Sequence, residues 1–171
     1  MLFRSTREIS TFIYDSTPSW ATDPFFLKGV GAEVGGQLSD PARQAQFRAS
    51  AGWKAGQQYK AWLDNAKRNL KALVDQGVHI AFGTDTGPAM RYQGFFEHLE
   101  LEMMVESGLT PMQAIVSATG DAARCHQKTG QLGALAPGAA ADLLILTANP
   151  LDNIRNMRTI DQVWVAGRRA F

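Results

Sequence analysis

Cysteine is almost absent from this sequence of 171 residues. Cys125 stands alone, so no intrachain disulfide can form and the small disulfide-stapled secreted folds are excluded. The cytosol is the default compartment for such a chain. Net charge is nearly absent too: 17 basic residues against 16 acidic ones leave +1. No whole-molecule field draws in nucleic acid or an anionic membrane surface, so neither is an expected partner and ligands must be sought at local sites. Long apolar runs are also missing. A spanning helix needs about 20 consecutive apolar residues, and Arg4, Arg7 and Glu8 interrupt the start, where an export signal would keep an apolar core. Internal repeats and low-complexity tracts are lacking as well. With 45% hydrophobic and 19% charged residues, the composition argues against disorder, and the length suits one large domain or one domain with a small appendage.

Ile9, Thr11, Phe12, Ile13 and Tyr14 predict a strand over 7–14 that runs into a loop. Residues 15–39 are rich in Ser, Thr, Pro and Gly and sustain no period, so a packed functional loop is expected around Trp20, Phe25 and Phe26. Ser39, Asp40 and Pro41 then predict a helix start, and a long helical tract follows. Within it Trp62, Ala66, Leu70, Leu73 and Val74 recur at three- and four-residue spacing until Gly77 supplies a stop. The apolar run Val78, His79, Ile80, Ala81, Phe82, Gly83 predicts a short buried parallel strand.

Further helices are expected over 97–107, from a capping box at Thr110 and Gln113, and over roughly 121–127. Residues 143–146 read as a strand, and 162–171 as a hairpin turning near Ala166 and Gly167. The composition shifts near Gly130, which divides the chain into expected domains 1–130 and 131–171.

The segment Gly83-Thr84-Asp85-Thr86-Gly87 directly follows the predicted buried strand. A carboxylate there projects from the C-terminal end of a parallel strand, where barrels and open α/β sheets place their active sites. An aspartate between two threonines also suits an Asx-type turn that merely caps the next segment, and the residues alone leave both readings open.

Several further stretches follow it in one order. They are Gly94-Phe95-Phe96-Glu97-His98-Leu99-Glu100-Leu101, the run Met104-Val105-Glu106-Ser107-Gly108-Leu109-Thr110-Pro111-Met112-Gln113-Ala114, Pro137-Gly138, Ala141-Asp142-Leu143-Leu144-Ile145-Leu146, and Asn149-Pro150-Leu151. The ordered set resembles the C-terminal part of the amidohydrolase superfamily, in the branch of imidazolonepropionase-like enzymes and metal-dependent prolidase-like dipeptidases. The resemblance covers the chain from about Asn69 to its end, and Asp23-Pro24-Phe25-Phe26 is similar to the family's seventh-strand loop.

The resemblance implies an α/β fold: about the last two βα units of a (β/α)8 TIM-like barrel within 1–130, then small β-sandwich strands within 131–171. It implies a metal-dependent hydrolase, with zinc as the divalent metal, that cuts C–N bonds in cyclic amides, acylated amino acids or dipeptide-like substrates. Asp85 matches the family aspartate that binds the metal and takes a proton from the activated water, so it is the implied metal ligand and catalytic residue.

This sequence departs from the family pattern in its ligands. It has no His-x-His pair, and His79, His98 and His126, its three histidines, fall at no family metal position. One carboxylate falls short of the three protein ligands of a catalytic zinc. The expectation is an incomplete C-terminal fragment, inactive in isolation. The rival is a noncatalytic remnant or interaction module that self-associates or pairs with a complementing chain, because a partial barrel leaves strand edges uncovered.

Other residues carry weaker expectations. His98 lies beside the candidate loop, where substrate contact and helix packing are both open. Arg91 and Tyr92, just after the turn, suit a substrate carboxylate, against plain surface placement. His79 reads as structural, and Cys125 as buried and unreactive. Glu97, Glu100, Glu102 and Glu106 suggest carboxylate pairing, but Leu99, Met103 and Met104 form the apolar face of their helix, and a solvated acidic face explains most of the four. Phe25 and Phe26 are taken as a pocket wall, whereas Trp20, Trp53 and Tyr59 are assigned to packing.

Overall fold

The computed structural model describes residues 19–87 and 92–171. The strand expected over 7–14 lies outside them, as does Arg91. The described residues fall into two compact units, one of 19–66, 84–87 and 92–99, the other of 67–83 and 100–171.

In the first unit, local caps cut the chain into short helices. The Asp23 carboxylate accepts the N–H of Phe25 at 2.8 Å and Pro24 occupies the first helical position, so α1 (Pro24–Val30) begins inside the stretch expected to be loop. A second short helix, α2 (Ala32–Ser39), follows. The expectation of a non-helical 15–39 is therefore corrected from residue 24 onward. The Asp23 cap starts α1, and packing on the aromatic cluster, through Phe26 of α1 and Val34 and Leu38 of α2, holds both helices.

Helix α3 (Pro41–Ala49) starts where expected, with Asp40 accepting the N–H of Ala42 at 2.9 Å. The long tract expected after it is divided. Ser50 is extended at φ −71° and ψ 153°, and its hydroxyl accepts the N–H of Trp53 at 3.1 Å, which ends α3 and begins α4 (Ala51–Gly56). Helix α5 (Gln58–Asp75) completes the tract.

The core of this unit is aromatic. Trp20, Phe26, Phe95 and Phe96 are buried, with Trp20 packed edge-on against Phe26 at 5.0 Å and against Phe96 at 5.3 Å between ring centroids. Phe26 also meets Phe95 at 5.1 Å and is fully buried. Its side chain therefore belongs to the core, which corrects its assignment to a pocket wall.

In the second unit, α5 ends in a Schellman motif. Gly77, at φ +75°, donates its N–H to Val74 O at 2.9 Å, and Val78 donates to Leu73 O at 3.0 Å. The segment expected to be a strand over 78–83 follows, with Ile80 and Ala81 buried. Among the described residues it forms no strand beyond a single bridge residue at Ala81. Its backbone is tied instead to a π turn at Ser117–Asp121: Phe82 N–H donates to Ser117 O at 3.1 Å, and the Ser117 hydroxyl donates to Ile80 O at 2.6 Å.

Helix α6 (Phe95–Glu106) closes at Gly108 by the same pair of bonds that closes α5. Helix α7 (Pro111–Val116) opens with the expected capping box, Gln113 N–H to the Thr110 hydroxyl at 3.2 Å and Thr110 N–H to Gln113 Oε1 at 2.8 Å. It continues through the π turn into α8 (Ala122–Cys125). A side chain at Gly133 would place its Cβ 2.5 Å from the Thr119 carbonyl oxygen on that turn, so only glycine allows this approach.

The C-terminal strands appear where expected. The sheet has the order β1 (Leu143–Leu146), β2 (Ile160–Val165), β3 (Arg168–Arg169), antiparallel throughout. Ala166 at φ +49° and Gly167 at φ +72° make the two-residue turn between β2 and β3, and Asp142 accepts the Ala166 N–H at 2.7 Å. Among the described residues no helix is long and apolar enough to cross a membrane.

Candidate active site

The Thr84–Gly87 turn is organised from its threonines. Thr84 is buried while the next residue, Asp85, is exposed, with φ at +57°. That left-handed conformation costs a non-glycine residue roughly 1–2 kcal/mol, although aspartate is among the residues that visit it. The turn is held by one carboxylate. Glu97 Oε1 accepts from the Thr84 hydroxyl at 3.0 Å and from the Thr86 hydroxyl, while its Oε2 accepts the Gly94 N–H at 2.6 Å. Thr86 N–H donates in turn to Thr84 Oγ1 at 3.4 Å.

Glu97 reaches these donors because it is the third residue of α6. Its bond to Gly94, the residue before the helix, is one half of a capping box, and a negative charge there also suits the positive end of the helix dipole. Sequence reading placed Glu97 on a solvated face. The G-x-x-E spacing at Gly94 and Glu97 was the signal that could have found it.

The other acidic residues of α6 divide the same way. Glu100 is fully buried, and Glu102, 5% exposed, pairs with Arg155 at 2.9 Å and with Arg158. Only Glu106 keeps to the solvated reading, exposed and 3.4 Å from Lys67. For Glu97, Glu100 and Glu102 that reading is corrected: Glu97 is taken up by the donors of the adjacent turn, Glu100 is buried, and Glu102 is enclosed by two arginines distant in sequence.

The remaining candidates are placed as follows. Tyr92 is partly buried, its ring 5.5 Å from Phe26 and stacked 6.5 Å from Phe96. His98 is partly buried and perpendicular to the Phe25 ring at 5.0 Å. Both residues thus extend the aromatic cluster that supports the start of α6. His79 is largely exposed, and its Nδ1 lies 3.0 Å from Asp121 Oδ1, a tie between the 78–83 segment and the π turn. Cys125 is exposed, which corrects its expected burial. Ala123 is the buried residue of α8, and a helical side chain two positions on points the opposite way.

Asp85 is the one residue for which a metal-binding role is expected from the sequence. Among the described residues no three histidine, cysteine or carboxylate side chains gather where they could hold a metal ion. One carboxylate falls short of the set of about three protein ligands that a catalytic divalent ion takes.

Comparison with known proteins places these features. An ochratoxinase of Aspergillus niger is 34% identical over 114 residues, covering 64% of this chain and 23% of the ochratoxinase. An imidazolonepropionase of Nocardia farcinica is 32% identical over 110 residues, covering 63% of this chain and 28% of the enzyme. A crystal structure of a Xaa-Pro dipeptidase with bound methionine in the active site superposes at a TM-score of 0.60 and 27% identity, over 73% of this chain and 31% of that one. The chain spans about a quarter of the length of the curated relatives it matches. Its structural neighbours are amidohydrolase barrel proteins, of which it matches a part. Residues 62–170, which carry the Asp85 turn, all of α6 and the C-terminal strands, match the model of the Amidohydrolase family, and to that family this chain belongs.

Proposed function

We propose that this chain is part of a hydrolase that cleaves a C–N bond in a cyclic amide, an acylated amino acid or a dipeptide-like substrate, with Asp85 as its acid–base carboxylate. The observation that carries the proposal is the built turn: an exposed aspartate on a left-handed backbone, flanked on both sides by threonines bonded to one carboxylate, that of Glu97. The identities to an ochratoxinase and an imidazolonepropionase support the reaction class.

Hydrolysis of an amide needs a proton removed from the attacking water and a proton delivered to the departing nitrogen. A single carboxylate serves both: Asp85 takes the proton as the water oxygen bonds to the carbonyl carbon, then gives it to the nitrogen as the C–N bond breaks, and ends unprotonated as it began. The family is generally divalent-metal-dependent, and zinc is the ion we propose. Asp85 would be one ligand of a set whose other members lie outside the described residues, so no step is assigned to the ion here. Residues 1–130 would then form part of the barrel and 131–171 strands of the flanking sandwich, with His98, Arg91 and Tyr92 as candidate substrate-binding residues.

The test is Asp85→Asn in the complete enzyme that contains this segment, assayed on N-acyl amino acids and dipeptides. Turnover is expected to fall by roughly 10²- to 10⁴-fold. Near-normal turnover would overturn the role.

A further inference from the structure

We infer that Glu97 is a positioning residue for Asp85, acting through Thr84 and Thr86 to hold the aspartate in its left-handed conformation. The inference rests on the reading of Asp85 as the working carboxylate. It assigns that carboxylate a support from the first turn of α6.

The conformation needs support. For a residue other than glycine the left-handed region is disfavoured roughly 5- to 30-fold. Asp85 occupies it at φ +57°, between two β-branched residues. Both neighbours are pinned. The Thr84 and Thr86 hydroxyls converge on the same Glu97 oxygen, and the other oxygen is held by the Gly94 N–H at 2.6 Å. Hydrogen bonds to an ionised carboxylate are about twice as strong as neutral ones, so three of them on one group make a rigid anchor.

Fixing the side chains on either side of Asp85 fixes the two peptide groups that its own φ and ψ connect. The carboxylate of Asp85 then leaves the turn in one direction instead of several. Glu97 belongs to the first turn of α6, whose residues Phe95 and Phe96 sit in the aromatic core, so the anchor is seated on packed side chains. Displacement of a reacting group by an ångström costs about 10²-fold in rate, which sets the scale of what the anchor secures.

The experiment is NMR on the isotope-labelled chain of 171 residues. A left-handed residue brings its own amide and α protons close together, so Asp85 gives a strong intraresidue cross-relaxation peak. In Glu97→Ala this peak is expected to fall to the level of an ordinary extended residue, and Glu97→Gln, which keeps an acceptor oxygen, restores part of it. Should Glu97→Ala fail to fold, the Thr84→Val and Thr86→Val double variant carries the test, since it leaves the Glu97 to Gly94 bond in place. An unchanged Asp85 peak in a folded variant of either kind overturns the inference.

In the complete enzyme, Glu97→Ala is expected to lower kcat by roughly 10- to 100-fold with KM unchanged. The two readings fail separately. Normal turnover in Asp85→Asn removes the chemistry assigned to Asp85 and leaves the NMR result standing, whereas a retained Asp85 peak removes Glu97 and leaves the chemistry standing.

Discussion

Glu97 and Glu102, two of the acidic residues of helix α6, are satisfied in opposite ways. Glu97 takes its donors from close by, Gly94 three residues before it and the threonines of the preceding turn. Glu102 takes its donors from far along the chain, Arg155 and Arg158 of the 3-10 turn Ile154–Arg158. The local set fixes a backbone conformation, because it grips both flanks of one residue. The distant set fixes a piece of tertiary structure, because it grips the segment between β1 and β2. The same chemical group therefore shapes a candidate site at one end of a helix and secures the C-terminal segment at the other.

The sharpest way to break the comparison is Glu102→Ala. It leaves the Arg158 guanidinium, whose side chain is 14% exposed, without the carboxylate that enclosed it. Removing one partner of a buried pair costs about 3–5 kcal/mol. Urea unfolding should show that loss, while the Asp85 cross-relaxation peak stays as it was. A loss of that peak in Glu102→Ala would merge the two roles that the comparison separates.

Thr86→Val comes next. It deletes a hydroxyl bonded to Glu97 and preserves volume, at a cost of about 1 kcal/mol or somewhat more, since the acceptor is charged. Its stability effect should be smaller than that of Glu102→Ala and its effect on the Asp85 conformation larger. Equal stability losses in the two variants would show that the turn is as much a part of the fold as the Glu102 pair.

The smallest effect is expected from Arg155→Ala. The Arg155 side chain is 67% exposed, and a pair of that kind contributes about 0–1 kcal/mol. A double-mutant cycle of Arg155 with Glu102, set beside the cycle of Arg158 with Glu102, checks that burial rather than proximity decides the energy.

Signals that are complete within a few residues were legible in the sequence. Asp40 with Pro41, Gly77, the Thr110 and Gln113 box, the Leu143–Leu146 strand and the Ala166-Gly167 turn all stand as expected. Ser50 is equally local, yet it stands among helix-favouring residues that mask its capping role, and the expected long helix is cut there. Residues 24–39 failed for another reason: their helices are short and rely on Asp23 and on ring contacts made by Phe26 with Phe95, far along the chain.

The strand expected over 78–83 shows the limit of an apolar run as a signal. Burial of Ile80 and Ala81 was legible, whereas the choice of hydrogen-bond partner, Ser117 on the π turn, was not. At the candidate site, Asp85 stood out through the ordered family resemblance, and its left-handed backbone did not. The burial of Glu100 and Glu102 was beyond reach, since periodicity reports which face a residue occupies and not what comes to cover it.

Cys125 offers a practical consequence. It is the only thiol in the chain and it is exposed on a short helix, joined through the π turn to the segment that His79 and Ser117 hold in place. A maleimide dye or nitroxide therefore attaches at one known position with no cysteine to remove first. The chain comes with a built-in reporter site, and assembly with any larger protein can be followed by fluorescence or spin resonance on the unaltered sequence.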